Sequence, residues 1–471
     1  MLRAFVRSLQ SPGGAASLFV MVVAAALFFG PPFFGPGSDP ESVRLYRVAA
    51  STLFCLALWA ISVVPIYLTA LVFLLLASLF KLGPLDVIFS GFASPALWLI
   101  FGGFILGVAV QETGLGARMA ASLVPYLGRS YRRIVFGVVL VAMALGFAVP
   151  SSMARMVVLM PIVVALAETL GFGPGSKGRT GITLAAAFAT FMPMAAVLPA
   201  NVPNVVLAGI AETVHGVPIS YVEYLALHFP VLGALKTLVI AVSVLVLFPD
   251  TPRIDPVRQP AAAMTPEQKR LAVILVAALG LWMTDFLHGI SPAWVALAAG
   301  LMCFVPGVNV VPRDTIERRL NYGTFIYVAG LLGLGNLIAE SGLGKAMGDA
   351  LLGLAHLDPA RPHWNFFALT AMGTLISWVA TLPGEAAVLG PVAAEIAAAT
   401  GLPLMTVLMI IVVGFSTVIL PYQAGPMIVG IHLAGVTLTS GTRLCATIGI
   451  ATIVVLLPLN FLWWRVTGWL P

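Results

Sequence analysis

An interrupted apolar stretch, Phe147–Ile162, constrains the fold of this chain more than any other feature. It reads FAVPSSMARMVVLMPI and lies in a long apolar region that would otherwise form one continuous helix. Pro150 removes a backbone donor and disfavours helix just before it, whereas Ser151 and Ser152 can cap a new helix that begins near Met153. The pattern predicts two half-helices that meet at a polar tip.

A second interrupted stretch, Thr381–Val392, reads TLPGEAAVLGPV. When Pro161 is aligned with Pro391, Arg155 falls on Glu385, so that opposite charges occupy matching positions. Breaks in helices within lipid persist only where they are buried in protein or line a cavity. Two such breaks at corresponding places in the two halves of a chain indicate the binding site of a transporter.

Composition indicates a membrane protein, because 60% of the 471 residues are hydrophobic and only 9% are charged. The net charge of +6 does not indicate nucleic-acid binding, since the arginines lie in short loops between apolar runs, where they orient membrane proteins. The cysteines Cys55, Cys303 and Cys445 are each in an apolar context and are predicted to be buried thiols. The N-terminus resembles a signal peptide, but its long apolar run predicts a retained first span.

The predicted architecture is an all-α polytopic membrane protein of about 11 spans, built from two inverted repeats. QETGLGARMAASL in the first half is echoed by AESGLGKAMGDAL in the second, and the broken spans PANVPN and PYQAGP follow in the same order. The predicted divisions are a first span and loop (residues 1–47), a first repeat (48–249) with a re-entrant hairpin at 134–170, a cytoplasmic linker (250–270) and a second repeat (271–471) with a hairpin at 366–399.

Loop charge predicts the orientation of the chain. The base of the first hairpin is surrounded by basic residues, namely Arg118, Arg129, Arg132, Arg133, Lys177 and Arg179. The base of the second offers only Lys345 and Arg361. Because basic loops stay in the cytoplasm, the hairpins are predicted to enter from opposite sides, with the N-terminus inside and the C-terminus outside.

These features resemble the divalent anion:sodium symporter family over about Val48–Trp464. In that family each hairpin tip is Ser-Asn-Thr, followed by Pro-Ile or Pro-Val, and each half has a broken span with a Pro-Asn element. Pro161-Ile162, Pro391-Val392 and Pro203-Asn204 match this pattern. The resemblance implies a homodimeric elevator transporter in the lipid of the inner membrane, which carries dicarboxylate, citrate or sulfate and is usually driven by sodium.

The tips differ from that pattern, because Ser151-Ser152-Met153 and Thr381-Leu382-Pro383 replace Ser-Asn-Thr. The Asn and Thr that help to bind carboxylate and to shape the sodium sites in the family are missing. We therefore predict weak or absent sodium dependence, with sodium or a proton as the alternatives for a coupling ion. No cofactor or resident metal is predicted.

The two charges at the tips have several interpretations. Arg155 can bind the anionic substrate with the positive end of its half-helix, stand as a fixed cation where relatives hold a mobile sodium, or pair with Glu385. Glu385 is either the partner in that ion pair or a proton-coupling group, since carboxylates within membranes commonly mark proton pathways.

Hydroxyl and amide side chains complete the predicted site for a small anion. Ser151, Ser152 and Thr381 lie at the two tips, and Asn201, Asn204 and Gln423 lie at the two broken spans. Amides there can cap freed backbone groups or contact substrate, and substrate contact is favoured for Asn204 and Gln423.

Other classes of function are less well supported by the sequence. An intramembrane enzyme would need a motif such as HExxH, a GxSxG-like nucleophile or paired aspartates in spans, and an ATP-driven pump would need a P-loop. None of these motifs occurs. A channel-like protein and an anion/proton exchanger remain as alternatives to the predicted anion permease, and an enzyme is not predicted.

Overall fold

The structure is a computed structural model that describes residues 22–26, 28–29, 39–61, 64–119, 130–253 and 263–471. Over these residues the chain is helical and forms no strand, which confirms the predicted all-α polytopic class. Most of the predicted first span and part of the predicted linker at 250–270 lie outside the described residues.

The helices of eight or more residues are numbered here in chain order. They are α1 (Pro40–Ile61), α2 (Ile66–Leu79), α3 (Pro95–Thr113), α4 (Tyr131–Ala148), α5 (Ser152–Thr169), α6 (Lys177–Phe191), α7 (Val202–Thr213), α8 (Tyr221–Leu247), α9 (Pro266–Met283), α10 (Pro292–Met302), α11 (Tyr322–Glu340), α12 (Leu343–Ala355), α13 (Pro362–Leu389), α14 (Ala393–Thr400), α15 (Leu404–Ser416), α16 (Gly425–Leu433) and α17 (Leu438–Val466). Helices α8 and α17 each contain a π-helical turn, at Phe229–Leu235 and Thr452–Leu456.

Seven helices of the described chain, α3, α4, α5, α8, α11, α13 and α17, are long and apolar enough to cross a membrane. The pair α14 and α15, which is bent by 112°, makes an eighth candidate if it is one span. Helices α2, α7 and α10 are apolar but shorter. An α-helix needs about 20 apolar residues to cross the hydrocarbon core, so the structure has the elements of a polytopic membrane protein.

The chain forms two compact units, each of which takes segments from both halves of the sequence. Unit 1 comprises Met1–Leu97, Val206–Ile219 and Asn321–Phe415, and unit 2 comprises Trp98–Val205, Ser220–Leu320 and Ser416–Pro471. The domain boundaries predicted above divide the sequence by repeat and stay a prediction.

Unit 1 is packed around α11, which lies against α2. A Cβ atom added to Gly330 of α11 would lie 2.6 Å from the Cβ of Ala70, so the two helices are closer than a larger residue permits. Small residues of this kind allow close helix contact where lipid supplies no hydrophobic driving force.

Unit 2 is organised around α6, against which both α4 and α5 pack. Helix α16 joins them, because a Cβ on its Gly430 would lie 2.6 Å from the Met156 sulfur of α5 and 2.9 Å from the Ala187 Cβ of α6. Unit 2 therefore contains the predicted first hairpin and residues from both broken spans.

Candidate functional site

The first hairpin breaks where the sequence predicts. Helix α4 ends at Ala148 and α5 begins at Ser152, and the residues between them include Val149 and Ser151 in extended conformation. The Ser151 hydroxyl accepts a hydrogen bond from the Ala154 N–H at 3.3 Å. This bond is an N-cap, which satisfies one of the free donors at the start of α5. Ser152, the first residue of α5, is buried.

Two glycines of α3 make room for this tip. A Cβ on Gly103 would lie 3.1 Å from the Cβ of Pro150, and one on Gly107 would lie 3.3 Å from the Cβ of Ala154. Residues four positions apart share a helix face, so α3 presents one smooth face to the tip. The non-helical backbone is therefore covered by protein, as a break at membrane depth requires.

The first discontinuous span has the predicted break. After α6 ends at Phe191, the chain forms 3₁₀ turns at Met192–Ala196 and Leu198–Ala200, passes through an extended Asn201 and enters α7 at Val202. Prolines in both turns remove donors and prevent a regular helix. Several backbone carbonyls are thereby freed inside the protein and need other partners.

The Arg155 guanidinium, which is fully buried, supplies many of these partners. Its Nη1 donates to the Val149 carbonyl at 2.5 Å, at the tip. Its Nε and Nη2 donate to the Thr190 carbonyl at 3.3 and 3.0 Å. Nη2 also lies 3.1 Å from the Ala200 carbonyl and 3.3 Å from Asn201 Oδ1. One cation thus ties the tip of the hairpin to both sides of the break.

This geometry resembles a cation held by carbonyl oxygens. A buried charge is costly unless it is paired or fully hydrogen-bonded, and carbonyl dipoles that point at Arg155 supply that compensation. The hydrogen bonds around Arg155 show a cation held by the protein, and its interpretation as a fixed cation stays a prediction. Direct contact with substrate and pairing with Glu385 stay predictions.

Asn201 and Asn204 also serve the first break. Asn201 Nδ2 donates to the Phe191 carbonyl at 3.1 Å, and Asn204 Nδ2 donates to the Met194 and Val197 carbonyls at 3.0 and 2.8 Å. The Asn204 Oδ1 is buried and accepts no hydrogen bond from the described residues. The structure therefore places both amides as backbone caps, and substrate contact by Asn204 stays a prediction.

The second discontinuous span breaks between α15 and α16. The chain between these helices is irregular apart from a 3₁₀ turn at Pro421–Gln423. The Gln423 Oε1 accepts hydrogen bonds from the N–H groups of Ile419 and Leu420, both at 2.9 Å. Gln423 is thus another cap on a break, and its predicted contact with substrate is not tested by this geometry.

Lys236 is a residue that the sequence analysis missed. It is 1% exposed, follows the π-helical turn of α8 and donates from Nζ to the carbonyl of Ser416 at 2.6 Å. The signal was present, because Lys236 is the one charged residue between Glu223 and Asp250 in an apolar span. A charge within a span is a functional candidate by default.

The second tip lies within α13, whose helical path is broken at Thr381 (φ 65°, ψ 170°). This is the residue that the alignment placed on Ser151. A positive φ is uncommon for a β-branched residue, and strained backbone of this kind is concentrated at functional sites. The predicted break at Thr381 is confirmed.

Glu385 lies four residues beyond this break, in a notch of unit 1 that is lined by Gly373 of α13 and Gly414 of α15. A Cβ on either glycine would collide with the Glu385 Oε1, so an alanine at either position would force the carboxyl group to move. Glu385 is fully buried, and neither of its oxygens accepts a hydrogen bond from any residue that the structure describes. The glycine notch is a second feature that the sequence analysis missed.

No metal centre is visible in the described ranges, because no group of three or more His, Cys, Asp and Glu side chains is placed to hold an ion. The three cysteines are buried and unpaired, as predicted. The two breaks in unit 2 are contacted by buried polar side chains, and two of these side chains, Arg155 and Lys236, are basic.

Comparison with known proteins agrees with this architecture. A protein described as a membrane protein in Cupriavidus necator is 27% identical over 416 residues, which are 82% of this chain and 77% of the relative. The L-tartrate/succinate antiporter of Escherichia coli (strain K12) is 24% identical over 393 residues, 79% of each chain. The crystal structure of the Alcanivorax borkumensis YdaH transporter superposes with a TM-score of 0.56 at 18% identity and covers 81% of this chain and 87% of that chain.

The family itself is shown by a match to the family model for the sodium:sulfate symporter transmembrane region, which covers residues 15–470. The family model thus spans both hairpins and both broken spans, and the Escherichia coli relative is named as an antiporter. Because the match covers nearly the whole chain, this protein belongs to the sodium:sulfate symporter family, the divalent anion:sodium symporters that its interrupted hairpins and broken spans resemble, and is an anion transporter.

Proposed function

We propose that this protein is a secondary active transporter that moves a small dicarboxylate across the inner membrane without sodium. The observation that carries the proposal is the set of hydrogen bonds made by Arg155 at the first break. Carbonyl oxygens freed by such breaks are the ligands that coordinate sodium in discontinuous membrane helices. Here a guanidinium takes those oxygens and supplies the positive charge permanently.

A fixed cation at this place favours an anionic substrate. Arg155 lies one turn into α5, whose N-terminus carries a partial positive charge, and α7 begins directly after Asn201. Helix N-termini and basic side chains together attract carboxylates, and two half-helix N-termini near one cation suit a doubly charged anion. The relative named as an L-tartrate/succinate antiporter supports a dicarboxylate as the substrate and exchange as the mode of transport.

The mechanism that we propose is elevator-type alternating access in a homodimer, with the N-terminus in the cytoplasm and the C-terminus outside. The support is the family to which the chain belongs and the arginine asymmetry of the two hairpins. The unequal numbers of basic residues at the two hairpin bases make the orientation directly testable.

Cysteine labelling tests this orientation. Arg132 at the start of α4 and Arg361 just before α13 are both exposed, so a cysteine at either position is accessible to reagents. We expect a membrane-impermeant maleimide to label Arg132→Cys only from the cytoplasmic side and Arg361→Cys only from outside. Labelling of both cysteines from one side would contradict the inverted-repeat arrangement.

Uptake into proteoliposomes tests the transport proposal. We expect radiolabelled succinate to accumulate in vesicles loaded with unlabelled succinate, with saturation and counterflow, and at a rate that is unchanged when sodium is replaced by choline. Tartrate, citrate and sulfate as competitors rank the substrates. A loss of rate of about tenfold on sodium removal, equivalent to about 1.4 kcal/mol, would contradict sodium independence. Flux without saturation or counterflow would indicate a channel.

A second candidate is proton-coupled transport of the dicarboxylate through Glu385. The observation that favours it is the buried carboxyl group with no described hydrogen-bond partner in its glycine notch. An ionised carboxylate without a partner is costly in such a place, whereas a protonated carboxyl group is much less so. A group of this kind can take up a proton on one side of the membrane and release it on the other.

A further inference from the structure

The ammonium group of Lys236 lies at the second break in an arrangement that parallels Arg155 at the first. Its Nζ donates to the carbonyl oxygen of Ser416, the last residue of α15, and apart from one 3₁₀ turn the chain is then irregular as far as α16. The ammonium group makes this one hydrogen bond among the described residues. A lysine that is 1% exposed within an apolar helix is unexpected unless its charge is used.

Helix α8 departs from regular α-helical geometry immediately before Lys236. The π-helical turn at Phe229–Leu235 inserts an additional residue, which rotates the following side chains by about 100° relative to a regular helix. Lys236 is the first residue after this turn. Turns of this kind are frequent at functional sites, and this one precedes the only charged residue in the middle of the span.

Cys445 of α17 belongs to the same environment. Its sulfur lies 3.9 Å from the carbonyl oxygen of Val418, two residues beyond Ser416. The second break therefore exposes carbonyl oxygens to one ammonium group and one thiol. Oxygens of this kind bind alkali cations, and an ammonium group is a cation of similar charge that cannot leave.

We propose that Lys236 is a built-in replacement for a monovalent cation at the second break, as Arg155 is at the first. The inference rests on the proposed sodium-free function and deepens it, because it assigns the second positive charge to a named residue. Unit 2 then carries both charges in its own side chains, and neither break needs an ion from solution. Removal of the lysine side chain leaves room for a sodium ion beside the carbonyl oxygens of Ser416 and Val418.

The experiment measures the thermal stability of the purified full chain in detergent without substrate, in sodium chloride and in choline chloride. For the native protein we expect the same melting temperature in both salts. For Lys236→Ala we expect a lower melting temperature in choline and an increase of about 2 °C or more in sodium, because an ion that binds only the folded state stabilises it. Cys445→Ala opens space beside the same break but keeps the lysine, and is expected to show no response to sodium.

Two further variants keep the test decisive if Lys236→Ala does not fold. Lys236→Arg retains the charge and is expected to be stable and indifferent to sodium. Lys236→Met fills the space without charge and is expected to be destabilised in both salts. The proposal is overturned if Lys236→Ala is as stable as the native protein in choline, if it folds but does not respond to sodium, or if the native protein itself is stabilised by sodium. None of these outcomes depends on transport, so they are distinguishable from a failure of the succinate exchange experiment.

Discussion

Replacement of Arg155 by methionine is expected to abolish succinate exchange and to lower the free energy of unfolding by about 3 kcal/mol or more. The guanidinium is the donor to the carbonyl oxygens of Val149, Thr190 and Ala200. Each buried carbonyl that loses its donor costs about 1–3 kcal/mol, and methionine fills the space without replacing any donor. The tip of the hairpin and the break then lose their common link, and the anion loses the positive charge.

Thermal unfolding and exchange should be measured in parallel for three variants. Arg133→Met is the matched control, because Arg133 is exposed at the start of α4, and its loss is expected to change stability by no more than about 0.5 kcal/mol. Arg155→Lys keeps the charge but not the planar fork of donors, so intermediate stability and some exchange are expected. An Arg155→Met protein that is as stable as the native chain would show that the guanidinium does not hold the break. If it were stable but did not bind succinate, Arg155 would instead contact the substrate.

The breaks were predictable because their causes are local. Pro150 with Ser151, and the prolines around Asn201, prevent regular helix whatever surrounds them, and the cap on α5 follows from serine chemistry. The break at Thr381 was predictable from the repeat alignment and from Pro383 two residues later. The family and the class of function followed from these same features, because interrupted helices in matching halves indicate the binding site of a transporter.

The partners across each break were not predictable from the sequence. The bond from Lys236 to Ser416 joins residues that are 180 positions apart, and no local pattern reports such a contact. The amides of Asn204 and Gln423 satisfy freed backbone groups, which is one of the two roles that the sequence allowed, and their contact with substrate stays a prediction. The reason is physical: buried carbonyl and N–H groups need partners, and the nearest amides provide them.

Replacement of Glu385 by glutamine is expected to leave the protein at least as stable as the native chain and to remove the response of transport to a proton gradient. The amide has nearly the shape of the carboxyl group but cannot ionise, so it avoids an unpaired buried charge. Succinate uptake should be compared with the external medium at the pH of the lumen and at a lower pH. Native protein should be faster at the lower external pH, and Glu385→Gln should show equal rates. Glu223→Gln, at an exposed position, is the control and should behave as native.

The glycine notch around Glu385 gives a second way to test the same group. Gly414→Ala places a methyl group where the Glu385 Oε1 lies, and overpacking of this kind typically costs about 1–3 kcal/mol. Gly353 of α12 faces open space, so Gly353→Ala should be neutral or stabilising by up to about 1 kcal/mol through helix propensity.

Shortening the acid in Gly414→Ala/Glu385→Ala should recover most of the lost stability, because the methyl group then occupies the vacated space. Strictly additive losses in this cycle, within about 0.5 kcal/mol, would mean that the carboxyl group does not occupy the notch. If Gly414→Ala/Glu385→Ala recovers stability but its transport does not respond to pH, the glycine notch affects stability only, and the Glu385 carboxyl group itself carries the proton.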